Sequence, residues 1–256
     1  MSLTPEEIKA FLEEKTDQYN RPDFIPADPI STPHNYSLKE DIEIAGFITA
    51  TLAWGKRETI VRNAARLMTM MGESPYDFVM SHREDDLHKL DNFVHRTFQG
   101  TDARYFVKAL NHIYNNQGGM EQVFARASSK ESVIPGIIHF HQQFFSIPHP
   151  PRTQKHVSNP AKGSPAKRIN MFLRWMVRKD KCGVDFGIWS KLNPAQLSCP
   201  LDLHSGNVAR KLGLISTRQN NLKSLQELDT ALRKMDPHDP AKYDFALFGL
   251  GIFEKF

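Results

Sequence analysis

The sequence predicts an all-α protein. Apolar residues recur three or four positions apart along most of the chain, serine, aspartate and asparagine caps with prolines punctuate those stretches, and alternating runs of strand character are almost lacking. The 256 residues set a prior of one or two domains, and a hydrophobic content of 40% supports a sizeable core.

The elements follow in order. Ser37-Leu38-Lys39-Glu40 has the spacing of a capping box and heads a helix through Ile42, Ala45, Ile48, Thr49 and Leu52, with Gly55 as its stop. A second helix runs from about Arg57 to Met71. Ser74-Pro75 starts a short third, serine as cap and proline in the first turn. Thr101 or Asp102 opens the next, whose apolar face is Phe106, Val107, Leu110, Ile113 and Tyr114 and which Gly118-Gly119 ends. Helices near 120–127 and 136–146 complete the middle region. Residues 147–166 hold five prolines and Gly163 and read as an irregular connector. Helical spacing returns from Lys167 to about Lys179 with Met171, Phe172, Trp175 and Met176. Asn193-Pro194 marks a short helix, and Asp202 immediately precedes another that runs to Gly213. Ser224-Leu225-Gln226-Glu227 has the spacing of a second capping box for a helix to Met235, and Asp239-Pro240 opens the last, through Tyr243, Leu247 and Phe248. No internal repeat and no low-complexity tract interrupts this pattern.

Several classes fall away. The longest apolar candidate, Ile44 to Trp54, is well short of the roughly 18 residues a membrane helix requires. Thr4-Pro5-Glu6-Glu7 lacks the basic flank and apolar stretch of an export signal, so a soluble cytoplasmic protein is expected. Cys182 and Cys199 are too few for a disulfide framework or a four-cysteine iron–sulfur or zinc site, and free thiols are expected. His139-Phe140-His141 would set its imidazoles about 200° apart on a helix, which suits no shared metal. Charge is uneven. The chain carries +4 overall, but residues 152–181 hold nine basic residues against Asp180 alone, a local +8. That concentration fits either a polyanion partner or a solvated loop and helix face.

The stretch Pro200-Leu201-Asp202-Leu203-His204, continuing as Val208-Ala209-Arg210-Lys211-Leu212-Gly213-Leu214, resembles a segment of the helix-hairpin-helix DNA glycosylase superfamily, in which the aspartate is catalytic. Ala246-Leu247-Phe248-Gly249 is similar to the end of that domain. The resemblance covers roughly the last hundred residues, and the N-terminal half only by helix pattern. The superfamily's lysine has its counterpart in Gly163-Ser164-Pro165-Ala166-Lys167, although the Leu-Pro-Gly-x-Gly hairpin is absent and Lys167 lies 35 residues before Asp202. A similarly long gap makes the archaeal 8-oxoguanine glycosylases the nearer analogy. The whole chain is also similar to a bacterial family of uncharacterised proteins.

The resemblance implies a two-lobed glycosylase-like fold. Residues 41–198 would form a helical barrel ending in the basic hairpin and the Lys167 helix, and residues 1–40 with 199–256 a second lobe carrying Asp202, with a flipped nucleotide held in the cleft. It implies a DNA glycosylase and AP lyase working on damaged duplex DNA, without metal, organic cofactor or iron–sulfur cluster. Lys167 and Asp202 would be catalytic. Lys162, Gly163, Ser164, Arg168, Arg174, Arg178 and His204 would meet DNA, and Trp54, Trp175 or Trp189 would stack on the extruded base. Elementary chemistry points to the same pair. A lysine in the first turn of a helix beside Arg168 is disfavoured as an ammonium, which suits a nucleophile. An N-capping aspartate is favoured as a carboxylate. Three alternatives stand beside this: Lys167 as a plain phosphate contact with Asp202 merely a cap, a non-catalytic nucleic-acid binding module that keeps the fold, and a helical scaffold whose basic stretch meets an acidic protein.

Overall fold

A computed structural model describes residues 3–256. Helix makes up 65% and strand 2%, so the all-α class holds. Among the described residues the order is α1 (Pro5–Tyr19), α2 (Lys39–Leu52), α3 (Arg57–Met71), α4 (Pro75–Ser81), a two-residue hairpin of β1 (Val94–His95) and β2 (Phe98–Gln99), α5 (Gly100–Gln117), α6 (Met120–Ala127), α7 (Ile134–Phe144), α8 (Lys167–Val177), α9 (Leu203–Lys211), α10 (Leu222–Met235) and α11 (Asp244–Ile252). Short 3₁₀ turns join them, two of these, Pro151–His156 and Pro160–Lys162, in the proline-rich connector. No described helix is long and apolar enough to cross a membrane.

By its contacts the chain divides into two units, one of Met1–Phe24, Ser128–Pro135 and Asn159–Phe256, the other of Ile25–Ala127 and Gly136–Ser158. Residues 159–198, which the sequence groups with 41 onward, thus share a unit with Asp202.

In the second unit α2 is buried along nearly its whole length: its charged residues, Lys39, Glu40, Asp41 and Glu43, lie in its first turns, and Ile44 to Leu52 carry no charge. Phe47 on α2 meets Phe106, Phe140 and Phe144, and the Phe106 and Phe144 rings approach to 4.8 Å. The buried Asp102 carboxylate ties the 151–156 turn to α5. It accepts from Thr153 Oγ1 at 2.7 Å and from the Gln99 N–H at 2.9 Å, with Arg152 at 3.2 Å and His156 at 3.4 Å. Burial raises its carboxyl, and the His156 and Gln99 hydrogen bonds outweigh that and hold it below its ordinary value.

Helix starts follow the caps with three corrections. Ser74, Asn193 and Asp202 cap as expected. The Ser37–Glu40 box does not form: α2 begins after Leu38, without a side-chain cap, and Lys39 pairs instead with Glu121 at 2.5 Å. Asn221, not Ser224, caps α10. Asn221 Oδ1 accepts from the Ser224 N–H, and Glu227 is drawn off to the Ser216 N–H at 2.8 Å. Helix α5 starts at Gly100, one residue before the earlier of its two expected openers, with Asp102 as the returning partner of Gln99. The sequence reading omits α1, which has its own capping box: the Glu7 N–H donates to Thr4 and the Thr4 N–H to Glu7.

In the first unit α1 and α9 pack on α11 around Leu12, Leu201, Val208, Leu228, Leu247 and Leu250. A Cβ at Gly249 would come within 2.2 Å of the Tyr19 ring, so glycine here is what lets α1 and α11 approach. Tyr19 is also held by Glu254 at 2.6 Å and stacks on Phe253. Gly249→Ala is therefore expected to lower the unfolding free energy by about 1–3 kcal/mol through overpacking, read as a lower urea midpoint. An unchanged midpoint would show that the two helices can separate without penalty.

Candidate functional site

Residues 159–167 arrange the lysine. Asn159 Oδ1 accepts from the Ala161 N–H at 2.9 Å and caps the Pro160–Lys162 turn, and Gly163 follows at φ +83°, a left-handed conformation that glycine adopts without strain. The Gly163 carbonyl accepts from the Leu222 N–H at 2.9 Å, anchoring the turn to the start of α10. Ala166 is buried at φ +46°, a left-handed setting that costs an alanine on the order of 1 kcal/mol and is maintained by its surroundings. Ser164 Oγ accepts from the Ala166 N–H, and Asn170 Nδ2 donates to the Pro165 carbonyl at 2.9 Å. This fixes Lys167 as the first residue of α8.

Asp202 comes from the cap of α9. Its Oδ1 accepts from the N–H groups of His204 at 2.8 Å and Ser205 at 3.0 Å. Its Oδ2 lies 3.7 Å from Lys167 Nζ, which also approaches Met171 Sδ at 3.5 Å. The Lys167 and Asp202 side chains are 24% and 25% exposed, open enough to meet a ligand and enclosed enough to feel each other. One carboxylate oxygen thus builds the helix while the other faces the amine.

A brace that the sequence reading does not identify secures the cap. Asn220 Nδ2 donates to the Asp202 carbonyl at 2.6 Å, and Arg210 donates to Asn220 Oδ1 at 2.5 Å and to the Thr217 carbonyl at 2.7 Å. Gly206, on α9, leaves room for this: a Cβ there would meet Asn220 Oδ1 at 2.5 Å. The glycine's role is thus to admit Asn220 beside the helix.

The basic segment is not one surface. Arg174 and Arg178 are buried and face inward. Arg174 pairs with Asp185 at 3.2 Å and Asp244 at 2.5 Å, and Arg178 with Asp180 at 2.6 Å, Asp239 at 2.9 Å and Asp185 at 3.1 Å. Burial opposes the Arg178 charge, but Asp185, Asp239 and Asp180 outweigh it and push its proton affinity up. These two side chains present no charge to an outside polyanion, which corrects their expected DNA role. Arg152 belongs to the other unit and is engaged with Thr97, Gln99 and Asp102. Lys162, Lys179 and Lys181 are exposed, as is His204 on the first turn of α9. Arg168 is half-buried, and burial lowers it to about 10, still a cation at neutral pH.

The tryptophans divide likewise. Trp175 is fully enclosed, and Trp189 is buried against the edge of Phe172, so neither offers a face to a base. Trp54 is half-buried in the other unit with the Arg96 guanidinium 4.5 Å over its ring. Among the described residues no group of three His, Cys, Asp or Glu side chains could hold a metal ion. The free thiols are Cys182, half-buried, and Cys199, buried.

A family model described as "Protein of unknown function (DUF2400)" matches residues 28–253. No curated protein and no solved structure matches the chain.

Gly206→Ala is expected to expel Asn220 from its site and to lower stability by about 1–3 kcal/mol, with Asn220→Ala reproducing most of the loss. Thermal melting of the two variants and the double variant measures it. Fully additive losses would mean that the two residues do not share one contact.

Proposed function

The chain belongs to the DUF2400 family, and we propose that it is a DNA repair glycosylase with AP-lyase activity, of the two-lobed helix-hairpin-helix kind, acting in the cytoplasm on damaged duplex DNA. The observation that carries this reading is the Lys167 amine 3.7 Å from an Asp202 oxygen that no backbone donor occupies. Two side chains 35 residues apart in sequence meet at a partly open position, each fixed at a helix start. The exposed Lys162 and His204 and the Gly163 turn lie on the same two segments and would take phosphates.

The chemistry follows from the pair. With a damaged base extruded, the unprotonated Lys167 amine attacks C1′ of its sugar and the C1′–N bond to the base breaks, the electron pair leaving with the base. Ionised Asp202 stabilises the cationic sugar that develops and takes the proton released by the amine. Ring opening gives a Schiff base, loss of the 2′ proton eliminates the 3′ phosphate, and water then frees the lysine. An oxidised purine is the base class that the lysine spacing favours by analogy.

Borohydride trapping on duplexes bearing an abasic site or 8-oxoguanine tests this. Wild type is expected to give a covalent adduct and Lys167→Ala none, while Asp202→Asn should trap roughly 10²-fold more slowly. No adduct with wild type, or an undiminished one with Lys167→Ala, rejects the lyase. Salt-sensitive binding that persists in both variants without nicking would instead identify a non-catalytic nucleic-acid binding module.

A further inference from the structure

The 152–181 segment turns part of its charge inward, but a second concentration of positive charge lies elsewhere in the chain. Residues 53–66 and 94–99 hold Lys56, Arg57, Arg62, Arg66 and Arg96 against Glu58 alone, a local +4. Both stretches belong to the second unit, and the β1–β2 hairpin lies against α3. His95 Nδ1 meets Asn63 Nδ2 at 2.9 Å, Arg66 Nη2 donates to the Asn92 carbonyl at 3.2 Å, and Arg96 reaches Trp54, just before α3. Arg62, Asn63 and Arg66 fall within about 100° of one side of α3, so both arginines lie on the side that meets the hairpin. Lys56, Arg62, Arg66 and Arg96 are exposed, and none of the four forms an ion pair among the described residues.

Arg96 is set more firmly than a solvated cation needs. It is the first residue of the two-residue turn between β1 and β2, at φ +55°, where glycine or asparagine is at ease and arginine is strained. Its guanidinium lies 4.5 Å over the Trp54 ring. Gly55 permits this, since a Cβ there would come within 2.8 Å of Arg96 Nη1. The Trp54 Nε1 is buried without an acceptor, so the ring is seated by packing, with His95 at its edge, and not by a hydrogen bond. A guanidinium stacked on an aromatic ring keeps the N–H groups of its rim for the oxygens of a phosphate, and it loses little further freedom in binding one. Backbone strain that the surroundings hold in place is a feature of ligand clamps.

We infer that the Arg96 turn and the facing side of α3 bind the phosphate backbone of duplex DNA. Arg96, seated on Trp54, is the fixed contact, and Lys56, Arg62 and Arg66 are the flexible ones. This surface rests on the reading above that the chain takes DNA, but not on the lyase chemistry.

Anisotropy of a labelled, undamaged duplex of about 20 base pairs, titrated between about 50 and 200 mM salt, tests it. Arg96→Gly suits φ +55° and should leave the hairpin intact. It should lower the slope of log Kd against log salt by about one and weaken binding roughly fivefold at about 0.1 M salt. The double variant Lys56→Glu with Arg62→Glu should lower the slope by about two. Lys9→Ala, at an exposed lysine of α1, is the control and should leave the slope unchanged. An unmoved slope in Arg96→Gly, or a loss no larger than that of Lys9→Ala, overturns the inference while the DNA reading stands. If Arg96→Gly does not fold, the double variant decides by the same criterion. Wild type that binds no duplex overturns this surface and the DNA reading together. If borohydride traps no adduct but the slope falls in Arg96→Gly, the lyase reading fails and the surface stands.

Discussion

Two guanidinium groups, those of Arg174 on α8 and of Arg178 at its C-cap, are buried, and buried charges must be paired. Their partners, Asp185, Asp239, Asp180 and Asp244, lie in the segment after α8, before α11 and on α11 itself. The Phe245 ring lies beneath the Arg174 guanidinium at 4.2 Å. A helix held in this way has little freedom to rotate or slide, because losing one partner of a buried pair costs about 3–5 kcal/mol. The placement of Lys167, at the first position of that helix, follows from this constraint.

Asp202 is fixed by a different means. Backbone donors take Oδ1, as at many helix starts, and Asn220 takes its carbonyl, so little conformational freedom remains in the carboxylate that faces the amine. Preorganisation of this kind is what catalysis by a charged group requires, since the group need not be ordered again when charge develops nearby. The left-handed Ala166 at the other side of the pair is a small local strain carried in the same place.

Much of this is legible in sequence where the signal is local. Apolar spacing gives the all-α class, and Ser74-Pro75, Asn193-Pro194 and Asp202 announce their helices within four residues. The serine-x-x-glutamate spacing at 37–40 and 224–227 misleads because it fixes no frame, and packing or a competing cap chooses another start. Helix α1 has its cap in Thr4-Pro5-Glu6-Glu7, but Ile8, Phe11 and Leu12 are too sparse an apolar pattern to announce it. Arg174 and Arg178 look like any surface cations because their carboxylates are as far away as 70 and 61 residues. Gly206 is the trace of Asn220, yet a lone glycine within a helix does not say what occupies the space it leaves.

The approach of α1 to α11 through Gly249 bears on how the chain acquires its structure. The first helix of the chain finds its packing partner only after residue 244 has been made, whereas Ile25–Ala127 and Gly136–Ser158 hold their own aromatic core much earlier along the chain. Contacts of such long sequence separation form slowly, since a large loop must close before they are rewarded. Until residues 244–252 are made the apolar side of α1 has no α11 to cover it, and Leu12 is left as transiently exposed hydrophobic surface.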